Sequence, residues 1–240
     1  MTGTILNIIT VLLGGTLGLL FGARLPDRVS QTIVAGIGLF TAALGVQMFT
    51  ASTNAIVVLG SLLVGGLLGE WWQIETRLEG LGAWLERKFM PGGADSSGGR
   101  GNRFVKGFLT TSLLFCVGPM TILGSIQDGL TGDYNLLAIK SVLDGFASIA
   151  FAASLGVGVL FSTLVILVYQ GGLSLLAAQA DAFITDPMVA EMTAVGGVLL
   201  LGLAISSLLE IKKIRVGNFL PALFIAPLII AILALLGWGG

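Results

Sequence analysis

The chain is 240 residues long, 55% hydrophobic and only 10% charged, with a formal net charge of −1 and a mean hydropathy of +0.99. That composition marks a polytopic membrane protein and excludes an ordinary soluble domain. One cysteine, Cys116, and no histidine remove internal disulfides, Ser-His and Cys-His catalysis and histidine-ligated zinc, so no enzyme activity, no cofactor and no nucleic-acid partner are expected.

Crossing the hydrocarbon core takes about 20 apolar residues. Runs near 4–23, 30–50, 54–73, 104–124, 135–153, 156–178, 189–209 and 217–237 predict an all-α fold with about eight transmembrane elements, some of them broken or re-entrant. The first run follows the N-terminal Met directly, with no basic n-region, so no cleaved signal peptide is expected. Basic residues collect in cytoplasmic loops. A chain that starts outside and crosses eight times puts Arg24, Arg28, Arg77, Arg87, Lys88, Arg100, Arg103, Lys106, Lys212, Lys213 and Arg215 inside and both termini outside. The outer loops 50–54, 125–134 and 179–188 then carry no Lys or Arg. One lysine, Lys140, is left within a span.

In chain order, residues 1–73 form a first helical triplet, with Gly14, Gly18 and Gly22 as a small-residue ladder suited to close helix packing. Residues 74–90 place Ile74, Leu78, Leu81, Trp84 and Leu85 at helical spacing opposite Glu and Arg, which predicts an amphipathic interfacial helix. Residues 91–103 read as a flexible Gly/Ser cytoplasmic linker. A central broken-helix hairpin at 104–154 follows, then a second triplet at 156–240, all in one membrane domain. GGTLGLL (14–20) and GGLSLLA (171–177) lead the two triplets, and with opposite predicted orientations these form an inverted repeat of three-helix units.

The chemistry concentrates in the hairpin. Lys140 and Asp144 lie at i and i+4, on one helical face, with Ser141 beside them. An ionisable pair at membrane depth is costly and is by default a functional-site hypothesis. Gly118-Pro119 breaks the preceding helix, because proline lacks an N–H and clashes with the turn before it. GSIQDGLTGDYN offers Ser125, Gln127 and Asp128 as oxygen ligands near an outer turn, in a spacing that matches no calcium loop and names no metal. Glu70 is expected at the cytoplasmic interface. Asn7, Gln47 and Gln170 read as isolated polar residues packed between helices.

GPMTILGSIQDGLTGD, the following KSVLDGFASIAFAASLGVGVLFS, the later YQGG and the N-terminal GGTLGLLFGARLP together resemble the YdfK/YqgA-like family of prokaryotic membrane proteins, a domain of unknown function. The resemblance spans nearly the whole chain. It implies a multi-pass protein of the bacterial inner (plasma) membrane and brings no substrate and no functional residue with it.

The leading expectation is a secondary transporter or ion-conducting protein for a small solute or hard cation, since acidic and carbonyl oxygens favour a hard ion over a soft one. Its site would be Asp144, Lys140, Ser141, Asp128, Gln127 and Ser125, with the lipid bilayer as its surroundings. A second reading stays open: a non-transporting structural or regulatory membrane protein that packs through its Gly-rich faces, on a partner or as a homo-oligomer.

The topology predicts a labelling pattern. In a Cys116→Ala background, single cysteines at positions 52, 131 and 183 react with an impermeant thiol reagent added outside, and those at 27, 96 and 213 do not. Outside labelling at 213 would overturn the eight-span arrangement.

Overall fold

A computed structural model describes residues 1–22, 26–89, 100–117, 119–177 and 184–236, and all regular secondary structure among them is helical. The elements are α1 (Thr2–Gly22), α2 (Asp27–Phe49), α3 (Ala55–Trp72), α4 (Ile74–Phe89), α5 (Arg100–Val117) and α6 (Pro119–Leu130). After them come α7 (Asn135–Leu155), α8 (Gly158–Leu175), α9 (Asp186–Leu203) with a π turn at Ala204–Leu208, a 3-10 turn at Val216–Phe219, and α10 (Ala222–Leu235). Seven of these helices are long and apolar enough to cross a bilayer; the bent pair α5–α6 raises the number to eight when taken as one span. The chain is an all-helical, multi-pass membrane protein.

The two halves of that bent pair meet at 63°. Pro119 takes the first position of α6, where a missing N–H costs nothing; Gly118 lies outside the described residues. Helix α6 runs further than the sequence indicates. Thr131 N donates to Gln127 O (2.9 Å), so the helical ladder continues through Gln127–Leu130 and the turn shrinks to 131–134, with Gly132 at a φ of 74°. Similarly, α5 already begins at Arg100, inside the predicted linker, whose residues 91–99 lie outside the described ones.

Burial on α7 runs opposite to that of a soluble helix. Ile139, Val142, Leu143 and Phe146 are exposed, while Lys140, Ser141, Asp144, Gly145 and Ser148 are buried. A helix that shows its apolar face outward and hides its charges is matched to lipid.

The helices pack as two compact units, Met1–Ile37 with Leu78–Cys116 and Met120–Asp181, and Gly38–Arg77 with Val117–Pro119 and Ala182–Gly240. These units cut across the two sequence triplets: α1 packs with α7 and α8, and α3 with α9 and α10.

In the first unit the glycine ladder is consumed by α7. Gly14 lies against the Gly145 carbonyl and Ser148, Gly18 against the Ile149 carbonyl and Gly22 against Ala153, so a Cβ at any of them would strike backbone. Helix α4 buries Leu85 against Phe104 and Phe108 of α5 and leaves Leu81 and Trp84 exposed. Arg103 donates to Ser154 O (2.7 Å) and so satisfies a carbonyl at the C-terminus of α7. In the second unit Gly45 meets Gly197, Gly65 meets Ala222 and Gly69 meets Asn218.

Gly14→Ala and Gly18→Ala are therefore expected to lower the thermal midpoint of the detergent-solubilised protein, by an overpacking cost of about 1–3 kcal/mol each. Gly36→Ala, with nothing within 4 Å of its added Cβ, leaves the midpoint unchanged. Equal midpoints for all three would refute tight α1–α7 packing.

Candidate functional site

Helical periodicity places Lys140, Asp144 and Ser148 in one stripe on α7. The stripe faces inward: Lys140 is 5% exposed and Asp144 9%. The Lys140 ammonium and the Asp144 Oδ2 form an ion pair. Lys140 Nζ also lies 6.0 Å from the centre of the Phe115 ring.

The pair is part of a network drawn from three helices. Asn7 of α1 donates one amide hydrogen to Asp144 Oδ2 (3.0 Å) and the other to Gln170 Oε1 of α8 (3.0 Å). Gln170 Nε2 in turn donates to Thr4 Oγ1 (3.2 Å). Reversing the Asn7 amide would set its oxygen against the Asp144 carboxylate and the Gln170 oxygen, so the network fixes its orientation. Both Asn7 hydrogens are then committed, and Asn7 Oδ1 is buried with no partner.

Asp128 of α6 is 3% exposed. Its Oδ2 accepts the Gly3 N–H (3.1 Å) and lies 3.0 Å from the Met1 amino nitrogen, so the carboxylate caps the free donors that open α1. Its Oδ1 has no partner. Below the polar layer, Val11, Phe115 and Ile166 from α1, α5 and α8 form a fully buried apolar cluster, with Ile8, Leu114 and Ala147 packed against it.

Of the residues singled out in the sequence, Lys140 and Asp144 are brought into contact, and Asp128 is turned inward onto α1. Ser141 and Ser125 are buried, but each donates to a carbonyl one turn back in its own helix, Leu137 O and Thr121 O. Gln127 is exposed and joins nothing in this cluster. Asn7 and Gln170, read above as isolated polar residues, are bonded to each other across the α1–α8 contact. The signal for α1 was in the sequence: Thr4, Asn7, Val11, Gly14 and Gly18 follow alternating steps of three and four, the period of a buried helix seam.

The second unit holds a carboxylate that sequence reading missed. Glu191 of α9 is fully buried and accepts from Ser52 Oγ (2.8 Å), Thr53 N (2.8 Å), Thr53 Oγ1 (2.9 Å) and Asn54 N (2.9 Å), just before α3 begins. At the far end of α3, Glu70 takes Arg215 (2.6 Å) and Asn218 Nδ2 (2.6 Å), and Glu75 accepts from Gly217 N (2.8 Å). Glu70 is half-exposed. Among the described residues no three Cys, Asp or Glu side chains gather as a metal cage.

The family described as protein of unknown function (DUF554) matches residues 2–231. The uncharacterized membrane protein YdfK of Bacillus subtilis (strain 168) is 32% identical over 241 residues, covering 99% of this chain and 99% of its own. The uncharacterized protein YqgA of Escherichia coli (strain K12) is 32% identical over 224 residues, covering 93% and 94%. No solved structure matches the chain.

The Asn7–Gln170 bond is open to a double-mutant cycle. Asn7→Leu and Gln170→Leu each destabilise, because each leaves a buried polar group unpaired. The double variant is expected to cost less than their sum, by about 0.6–1.7 kcal/mol, the scale of interhelical hydrogen bonds in bilayer proteins. Strictly additive losses of thermal stability would show the two residues to be uncoupled.

Proposed function

The chain belongs to the family of unknown function DUF554, and we propose that it is a secondary transporter or ion-conducting protein of the bacterial inner (plasma) membrane, moving a small solute or hard cation. One observation carries this reading. An ion pair buried at membrane depth, Lys140–Asp144, is wired through Asn7 to Gln170 and joins three helices. A well-packed apolar trio would hold three helices together without the desolvation cost of two charges. Intramembrane charges that face a bundle interior belong to ion and solute paths more than to packing. Asp144 and Lys140 are the proposed cargo-binding pair, Asp128 a second carboxylate on the approach, and Ser141 and Ser125 second carriers of oxygen; Gln127 takes no part.

The competing reading needs free glycine faces for a partner or a second copy. Gly14, Gly18, Gly22, Gly45, Gly65 and Gly69 are instead covered within the protein, which favours transport. The inverted repeat belongs to the same proposal. Helix α1 packs on α8 and α3 on α10, and these are the pairs that a two-fold relating residues 1–73 to 156–240 would bring together.

The test removes both charges at similar volume. Lys140→Met combined with Asp144→Leu should elute as the wild type does, since replacing a buried pair by apolar residues is neutral or stabilising. In proteoliposomes its flux of Na+, H+ or organic solute should fall to the protein-free background. Wild-type flux in the double variant would sink the role given to the pair.

A further inference from the structure

The polar network and the apolar cluster are stacked on the same helices. Along α1, Val11 follows Asn7 by four residues; along α7, Ala147 follows Asp144 by three; along α8, Ile166 precedes Gln170 by four. Each step is about one helical turn, or roughly 5 Å. A layer of Asn7, Asp144 and Gln170 therefore lies one turn from a layer of Val11, Ala147 and Ile166, and Phe115 of α5 closes the second layer. On the other side of the polar layer lies a third level, with Thr4, Lys140, Asp128 and Ser174. Along the buried face of α1, polar side chains thus run from the start of the helix to Asn7 and stop at Val11.

Beyond Val11 the α1–α7 contact closes: the two backbones touch at Gly14, Gly18 and Gly22, and the polar side chain there, Ser148, is spent on the Val11 and Gly145 carbonyls (3.2 and 2.8 Å). Val11 and Ile166 are fully buried, and Phe115 nearly so. Narrow apolar constrictions of this kind stop ions by excluding water.

The polar side of the seal has a definite sign. Its buried, unpartnered atoms include Asn7 Oδ1 and Asp128 Oδ1, both of which only accept hydrogen bonds, and Ser174 Oγ. Buried acceptors left without a donor are rare and call for an explanation. The two ammonium groups at this level are both engaged, Lys140 by Asp144 and the Met1 amino group by Asp128 Oδ2 (3.0 Å). An anion would meet acceptors and a carboxylate here; a cation would meet ligands.

We infer that Val11, Phe115 and Ile166 are the gate of a one-sided polar pathway, and that the pathway admits a small monovalent cation, Na+ or H+, which reaches Asn7 Oδ1 beside Asp144 before the seal stops it. This rests on the transport reading above and assigns it a cargo class and a barrier.

The full-length protein in proteoliposomes tests the gate with Na+, H+ and chloride gradients as probes. Val11→Thr and Ile166→Thr put one hydroxyl into the seal, and a threonine hydroxyl can bond the carbonyl one turn back, so the helix tolerates it. Each should raise passive Na+ or H+ flux about tenfold, the effect of lowering a barrier by about 1.4 kcal/mol. Chloride flux should stay at background. Adding Lys140→Met with Asp144→Leu should abolish the leak. Phe115→Leu, which thins the seal without a polar atom, replaces any threonine variant that fails to elute as a single species, and the same leak is expected of it. If these variants do not leak while wild-type flux still depends on Lys140 and Asp144, the gate is wrong and the transport reading stands. A chloride leak equal to that of the cations overturns the choice of cargo. Folded wild type and variants that all move no ion overturn the gate and the cargo, and if they move no organic solute either, the transport reading falls with them.

Discussion

Two opposite charges at membrane depth must face one another and be wrapped by protein, and α7 can be wrapped on that face only if α1 comes close to it. The first unit follows from this requirement. Gly14, Gly18 and Gly22 remove every side chain that would hold α1 away, and the approach sets Asn7 against Asp144. The same register stacks Val11 over Ile166 and Phe115. The opposite face of α7 is left with Ile139, Val142, Leu143 and Phe146 for lipid. A side chain on the ladder would separate the pair from its only amide donor on α1. Breaking a buried pair typically costs on the order of 3–5 kcal/mol, so the glycines and the charges are one constraint.

The second unit neutralises its buried carboxylate by a different device. Glu191 receives four neutral donors at the start of α3, two of them backbone N–H groups. The open N-terminus of a helix is electropositive and short of acceptors, so a carboxylate there satisfies both sides at once. Asp128 does the same for the first turn of α1. Lys140–Asp144 stands apart, as a pair in mid-helix with no helix end to share its charge.

How much of this was legible follows from the range of each interaction. The membrane class, the number of spans, the break at Gly118-Pro119 and the shared face of Lys140 and Asp144 are properties of composition and local period, and the sequence states them. The Gly14-Gly18-Gly22 ladder announces close packing but not its partner. Asn7 and Gln170 are 163 residues apart, and a lone amide in an apolar run looks the same whether it is bonded across an interface or idle. Glu191 was missed for a related reason: its partners lie some 138 residues away, two loop N–H groups that any residue supplies and two hydroxyls, Ser52 and Thr53, that no motif marks. The end of α6 was misplaced because Gly, Asp and Gln signal a turn locally, whereas the inward anchoring of Asp128 favours the helix.

The direction of the hydrogen bonds bears on what the pair can do. Gln170 donates to Thr4, Asn7 donates to Gln170, and Asn7 also donates to Asp144. Asp144 Oδ2 therefore holds two donors, Lys140 and Asn7. Withdrawal of the lysine leaves the carboxylate with a hydrogen bond and does not strip it bare, which lowers the cost of the unpaired intermediate. Neither amide carries a charge, so this support does not depend on a proton of its own. A purely structural pair gains nothing from such a spare donor, because its partner never leaves. Under the transport function proposed above, the carboxylate exchanges one cation for another and needs the spare donor at that moment, which Asn7 is placed to supply.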